Sequence, residues 1–382
     1  MGRSALFVTT VPVTLEAFLL PFARHFRAQG WRVDALANGA TEADALEREF
    51  DRRFDVAWTR NPLSPSNLIG TAARIRAIVT EGAYDIVHVH TPIAAFVTRF
   101  ALRHQRGPSR PIVIYTAHGF HFYRGQPAVP HALYRTLEKV AARWTDFLVT
   151  INAEDYAAAQ SLGGIAPARV RFIPGIGVDV ERYSTSAVCE GDVAALRREL
   201  AVTEDAFVLT MIAEFAPVKR HRLLLEAFSA VRASDAVLLL VGEGPLEAEV
   251  REAATALGVA ERVRFAGYRH DIPAVLAASS ALALVSAREG LPRSVLEAMA
   301  ACRPVIGTQT RGISDAVGDD AGWIVPATAA ALASAIDEAA ADPAETRRRG
   351  EAARARAVRE FSLAAVIADY EELYGEAVAS RV

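Results

Sequence analysis

Residues 281–300 read Ala-Leu-Ala-Leu-Val-Ser-Ala-Arg-Glu-Gly-Leu-Pro-Arg-Ser-Val-Leu-Glu-Ala-Met-Ala. The first five are apolar and too few for a helix, which predicts a strand. An unbroken apolar run of that kind is buried on both faces, as in a parallel sheet. Glu289, Gly290 and Pro292 mark a loop, and an apolar helix follows with Glu297 about one turn into it. Strand, acidic loop and helix start form a unit whose first amide N–H groups are unpaired. An α/β protein holds anions at such a helix start. The two carboxylates beside it can accept hydrogen bonds from hydroxyls. The segment therefore suits a ligand that is anionic at one end and rich in hydroxyls at the other.

Working outward, short apolar runs alternate with longer helical patterns. Residues 5–8, 32–37, 86–90, 112–116, 147–151 and 170–173 read as strands, with helices over 15–29 and 93–105 among the spacers. The series then restarts at 208–213, 236–241, 262–266, 281–285, 305–307 and 322–325, spaced by helices such as 222–231 and 246–257. Alternation of this kind predicts parallel sheets built from βαβ units. Two series predict two doubly wound domains, 1–180 and 181–360, joined near 174–186 where Gly, Pro and Ser cluster. The last amphipathic stretch, 361–378, reads as a helix expected to pack back on the first domain. A length of 382 residues and 52% apolar content fit two packed cores. Ligands of such open sheets bind at the carboxyl ends of the strands.

Composition narrows the function. The two cysteines, Cys189 and Cys302, are far apart, so neither structural zinc nor a disulfide framework is expected, and a reducing cytoplasm fits. Residues 5–8 run into the loop Thr9-Thr10-Val11-Pro12, which favours a first strand over an export signal. No apolar run reaches the ~18 residues that suggest a membrane span. Residues 1–180 hold 20 Lys and Arg against 15 Asp and Glu, and the rest hold 22 against 30, for −3 overall. That imbalance fits a first domain facing phosphate or membrane, or simple drift on solvated faces. Helices 15–27 and 93–106 place aromatics beside Arg24, Arg27, Arg99, Arg103 and Arg106; either could lie on an anionic bilayer or pack on a sheet. No basic stripe with interleaved aromatics points to nucleic acid.

Four further stretches carry candidate chemistry. Lys219 and Arg220 leave the first strand of the second series in a Pro-containing loop, where cations can neutralise a diphosphate or serve as a solvated pair. His118 ends the strand 112–116 in a His-Gly loop. It can donate to a hydroxyl or sit as a packed histidine, while Gly119 permits close approach. His121 and the aromatics beside it have less claim. In Asp85-Ile-Val-His-Val-His-Thr-Pro92, His88 reads as structural and His90 as part of a cleft wall, without a third ligand for a metal. Gly175-Ile-Gly177 has Val180 where a dinucleotide fingerprint needs its third glycine, so a joining turn is expected.

Taken together, these residues resemble the family 4 glycosyltransferases, which have the GT-B fold of two Rossmann-like, doubly wound parallel-sheet domains facing across a cleft. The likeness spans nearly the whole chain and is sharpest at the E-x7-E motif, met by Glu289 and Glu297. The run Thr-Ala-His-Gly-Phe-His-Phe-Tyr at 116–123 is similar to bacterial members that build exopolysaccharide, capsule or other surface glycans. The resemblance implies that Glu289 contacts the donor sugar, and that the amides of Gly290, Leu291 and the turn through Ser294 face sugar or diphosphate. It implies that Glu297 binds the ribose, Lys219 stabilises the leaving diphosphate, His118 contacts the transferred sugar, and Arg269 lies by the base. Ala213-Glu214 stands where members often carry Gly-Arg, so Arg220 is expected to supply the missing cation. The first loop lacks the common Gly-Gly; Thr10 and Thr14 in it, with His90 at the end of strand 86–90, are candidates for the acceptor side or the cleft wall.

The family retains the donor's anomeric configuration. The expected reaction is front-face substitution, with the departing phosphate taking the acceptor proton. It needs no protein nucleophile, no metal and no cofactor. Expected partners are a UDP-sugar donor, a glycan or polyprenyl-linked acceptor, and the inner face of the cytoplasmic membrane as a peripheral contact. The rivals are a nucleotide-sugar epimerase or hydrolase on the same fold and a non-catalytic nucleotide-sugar-binding protein.

Overall fold

The computed structural model describes residues 3–380 apart from 60, 106, 108, 109 and 204, so Arg106 lies outside the described residues. The chain forms two compact units, Met1–Ile176 with Val366–Val382, and Gly177–Ala365. The first carries β1 (Ser4–Val8), β2 (Arg32–Ala37), β3 (Arg53–Asp55), β4 (Ile86–Val89), β5 (Ile112–Ala117), β6 (Phe147–Thr150) and β7 (Val170–Phe172). They lie parallel in the order β3-β2-β1-β4-β5-β6-β7. The second carries β8 (Val208–Ile212), β9 (Val237–Val241), β10 (Val263–Phe265), β11 (Ala281–Leu284), β12 (Val305–Thr308) and β13 (Gly322–Val325). These are also parallel, in the order β10-β9-β8-β11-β12-β13. In each sheet the order reverses beside the first strand, between β1 and β4 and between β8 and β11. Those reversals are where open α/β sheets leave a crevice for ligands.

Burial explains why the strands were legible. β1, β4, β5, β9 and β11 are buried along their full length, because helices cover both faces of each sheet. β3 was not anticipated. It is a three-residue edge strand, Arg-Phe-Asp, half-buried throughout, with one apolar residue to signal it. The helix expected over 15–29 is interrupted. Pro12–Thr14 leads into a wide turn, Leu15–Leu19, before the helix Leu20–Ala28. Pro21 has no N–H to donate four residues back, and its ring crowds that carbonyl, which loosens the ladder there.

The C-terminal helix Leu363–Ala379 buries Tyr370 and Tyr374 in the first unit. Tyr374 stacks on Phe26 at 4.7 Å, and its hydroxyl lies 2.6 Å from Nδ1 of His88. Within the second unit, the amide of Val178 donates to Phe361 at 2.8 Å and that of Leu363 to Val178 at 2.9 Å. Gly177 lies at φ +76°, and a Cβ there would sit 2.6 Å from the Leu363 backbone. The Gly-x-Gly motif is thus a close backbone packing that a side chain would break.

The two helices weighed as bilayer contacts turn their apolar residues inward. Phe22, Phe26, Phe96 and Val97 are buried, and Arg24 and Arg27 pair with Glu49 and Asp51. Arg99 is 1% exposed, holds Glu138 at 3.0 Å and lies over the Tyr115 ring. No helix among the described residues is long and apolar enough to cross a membrane.

Candidate functional site

In the second unit, the residues at the strand reversal meet. Lys219 follows β8 in a short turn, Pro217–Lys219, and Glu289 follows β11. The amide of Ala287 donates to Val218 at 2.8 Å, which ties the two loops together. The Lys219 ammonium then reaches Oε1 of Glu289 at 2.7 Å, with side chains 23% and 12% exposed. The Lys loop is braced from behind. The Phe215 amide donates to Glu243, its carbonyl accepts from Leu246, and a Cβ on Gly244 would collide with the Phe215 backbone.

The helix Arg293–Ala300 starts at Pro292, which supplies no side-chain cap. Among the described residues, the amides of Gly290, Leu291 and Ser294 donate no hydrogen bond, so the loop presents them as unpaired donors. Glu297 lies one turn in and is 8% exposed. Its Oε1 accepts from the Tyr183 hydroxyl at 2.9 Å and from Arg293 at 3.3 Å. Burial, then the adjacent Glu297 charge, push the Tyr183 phenol upward, so it stays a donor at neutral pH.

Sequence reasoning missed Tyr183 and a brace from the end of β12. Thr310 Oγ1 donates to the Ser286 carbonyl at 2.9 Å, and Arg311 Nε to the Glu289 carbonyl at 3.2 Å. Gly312, at φ +76°, packs so closely that a Cβ would lie 2.1 Å from the Gly290 carbonyl oxygen. A glycine in the loop after a strand, four residues past Thr308, was the available signal.

Arg220 and Arg269 are placed differently from Lys219. Arg220 adopts the left-handed conformation (φ +56°) that starts the helix His221–Ser229. It lines a groove of about 580 Å³ with Leu223, Leu246, Glu249 and Val250. Arg269, beyond the edge strand β10, spends its guanidinium on Asp271 and Glu199, both at 2.7 Å. Those hydrogen bonds push its pKa up, and Arg269 in turn holds Asp271 below the usual carboxylate range. Glu214 is exposed, so its charge is solvated where a cation was expected.

In the first unit, the ends of β1, β4 and β5 bring Thr10, His90 and His118 to one sheet end. Thr10 spans the reversal: its amide donates to Thr91 Oγ1 at 2.8 Å, and the two hydroxyls lie 2.6 Å apart. Thr14 closes the first turn through its amide, which donates to Val11 at 3.2 Å. His90 Nδ1 lies 3.2 Å from His118 Nε2, and Phe18 covers the His118 ring at 5.6 Å. His88 is structural: its nitrogens engage Tyr374 and Thr116. Burial lowers His88 to about 3 and His118 to about 4, and drives His90 well below its ordinary range. All three rings are neutral at pH 7. Among the described residues no three His, Cys, Asp or Glu side chains gather as a metal site.

Two family models cover the chain: Glycosyltransferase Family 4 over residues 15–182 and Glycosyl transferases group 1 over residues 192–356. A Bacillus subtilis chain named glycosyltransferase EpsD is 35% identical over 381 residues, 98% of this chain and 97% of that one. An Escherichia coli UDP-Gal:alpha-D-GlcNAc-diphosphoundecaprenol alpha-1,3-galactosyltransferase is 30% identical over 234 residues, 60% of this chain and 59% of its own. Among solved structures, Anabaena HepE in complex with UDP superposes with a TM-score of 0.82 at 23% identity, covering 98% of this chain and 100% of that one. That likeness is one of fold, and it is the GT-B fold. With both halves matched and a relative similar from end to end, the chain belongs to the glycosyltransferases of family 4, with a group 1 domain in its second half.

Proposed function

We propose that this glycosyltransferase is a retaining, metal-independent hexosyltransferase that moves a sugar from a UDP-sugar to a glycan or polyprenyl-linked acceptor in bacterial surface-polysaccharide synthesis. One observation carries the reading: the Lys219–Glu289 pair stands at the strand reversal beside the unpaired amides of Gly290, Leu291 and Ser294. A cation and several N–H donors suit a diphosphate whose charge grows as it departs. Glu289 accepts from the hydroxyls of the transferred sugar, and Glu297, fixed by Tyr183, from those of the ribose. The departing phosphate takes the acceptor proton, so no protein side chain must act as nucleophile. His118 donates to the transferred sugar, Thr10 and Thr14 belong to the acceptor side, and His90 forms the wall behind them. Lys219 and the amides hold the diphosphate, with Arg220, next in the same loop and exposed, as the second cation.

The relative from Escherichia coli, by its name, uses UDP-Gal and a diphosphoundecaprenol acceptor, which supports this donor and acceptor class. A peripheral place on the cytoplasmic face of the membrane suits a lipid-linked acceptor. The helix Ala128–Ala142 supports it, with Val129 81%, Leu133 52% and Tyr134 37% exposed beside exposed Lys139 and Arg143. Its one carboxylate, Glu138, is turned inward to Arg99. Exposed Val129 and Leu133, one turn apart, near the basic Lys139 and Arg143 fit an anionic lipid surface.

The test is incubation of the enzyme with UDP-hexoses and a polyprenyl-diphosphate-linked sugar, with and without a chelator, followed by mass spectrometry and NMR of the new linkage. The expected product keeps the donor's anomeric configuration in both samples. Inverted product, free sugar alone, or an epimerised donor would sink the proposal.

A further inference from the structure

The two ring nitrogens of His90 have unlike surroundings. The residue is 2% exposed. Nδ1 lies 3.2 Å from Nε2 of His118, whereas Nε2 is buried with no hydrogen-bond partner. The ring borders a small cavity walled by Phe7, Leu19, Phe22, Ile176, His88, Tyr370 and Tyr374, and the two tyrosine hydroxyls there are already engaged, with Thr116 and His88. The His88 ring lies tilted against the His90 ring at 4.0 Å but has both nitrogens committed, to Tyr374 and to Thr116. Each neutral imidazole carries one proton, on one nitrogen or the other.

Two arrangements bridge the 3.2 Å contact. If His118 donated, the His90 proton would sit on Nε2, as a buried N–H with no acceptor. If His90 donates from Nδ1, Nε2 is left as a bare lone pair. Orphaned buried N–H groups are rarer than undersatisfied acceptors. Burial holds both rings neutral at pH 7, which removes the doubly protonated alternative.

We infer that His90 is a positioning residue: its Nδ1–H donates to Nε2 of His118 and holds His118 as the Nδ1–H tautomer. His118 is half-buried and, among the described residues, its Nδ1 makes no hydrogen bond, which leaves that N–H for a ligand at the end of β5. This inference rests on the proposed sugar contact of His118 for its functional meaning, but not for its geometry. The proton on Nδ1 makes His118 a fixed donor toward a substrate oxygen. Without His90, the ring exchanges between a donor and an acceptor face. Neither His90 nor His88 touches the ligand in this account; His90 acts through His118.

The test uses the full chain labelled with ¹⁵N-histidine, with His118 assigned by His118→Asn, in long-range ¹H–¹⁵N spectra at pH 7.5. The wild type is expected to show His118 protonated at Nδ1 and bare at Nε2. His90→Phe keeps a ring but removes the donor, so His118 should shift toward Nε2–H and kcat should fall about tenfold with KM nearly unchanged. His90→Asn places an amide N–H near the former Nδ1, and should recover the Nδ1–H tautomer and most of the lost kcat. His118 protonated at Nε2 in the wild type overturns the inference even if His90→Phe fails to fold. An unchanged tautomer in folded His90→Phe overturns it too. Full activity of His118→Ala with the expected tautomers would instead reject the sugar contact and leave the pair standing.

Discussion

Lys219→Met is the sharpest perturbation, because it removes one charge and keeps most of the stem. The pair it breaks has N–O 2.7 Å and side chains 23% and 12% exposed. At that distance and an effective dielectric near 20, the gross attraction is about 6 kcal/mol. Most of it offsets the cost of drawing both groups partly out of water, so the pair adds only about 1 kcal/mol to folding. Glu289 keeps access to solvent and can recover water when Lys219 is gone. The urea midpoint should therefore move little. Turnover should move much more. A fixed cation facing charge that develops in the transition state is worth about 10²–10³ in kcat, or about 3–4 kcal/mol. The assay is single-turnover transfer from saturating UDP-sugar, with unfolding curves on the same preparations. Lys219→Met, Glu289→Gln and the double variant complete a cycle. If Lys219 and Glu289 act as one unit, the double variant should lose little more than the worse single one. A Lys219→Met enzyme within threefold of wild-type kcat, or strictly additive losses across the cycle, would refute the reasoning.

Tyr183→Phe removes one hydrogen bond from a carboxylate that keeps Arg293 at 3.3 Å, so UDP affinity by calorimetry should drop about fivefold to twentyfold with saturated kcat within twofold. Unchanged UDP affinity would detach Glu297 from nucleotide binding. Gly312→Ala forces a Cβ against the Gly290 carbonyl and should raise donor KM together with a lower Tm. Gly258→Ala, also at positive φ but with open space around it, should cost only about 1 kcal/mol and leave KM alone. Acid should destabilise the fold: His88 and His118 have folded pKa values of about 3 and about 4 against an ordinary 6.5. Their contribution is present above 6.5 and is lost as pH falls toward 4, because the unfolded chain takes up protons that the fold refuses. At pH 5 each ring costs at most about 2 kcal/mol, and a urea midpoint that stayed flat from pH 7.5 to 5 would contradict this. Paired Val129→Asp and Leu133→Asp changes should abolish cosedimentation with anionic vesicles; retained binding would move any lipid contact off that helix.

What could be read from the chain alone followed from burial. Strands covered on both faces must be apolar throughout, so runs such as 281–285 and 112–116 declared themselves. Arg53–Asp55, half-buried at a sheet edge, had no such obligation. The candidate residues were recognisable by type and by position after a strand. Their contacts were not, because those depend on which strand ends become neighbours. Lys219 and Glu289 are 70 residues apart and meet only because β8 and β11 pair across the order reversal. His90 and His118 meet because β4 and β5 pair with Val89 opposite Tyr115. The same logic separates the two carboxylates of the opening segment. Eight residues apart in one loop and helix, they are alike in sequence. Glu289 is held by a cation from the neighbouring strand end, and Glu297 by a phenol from the segment that enters the unit. In the proposed reaction the Lys219 ammonium faces the growing negative charge, and Glu289 is the acceptor that it holds in place. The proposed ribose contact of Glu297 falls to its other oxygen, because Tyr183 and Arg293 both engage Oε1. What separates the two carboxylates is their partners, and the ammonium partner of Glu289 comes from strand order.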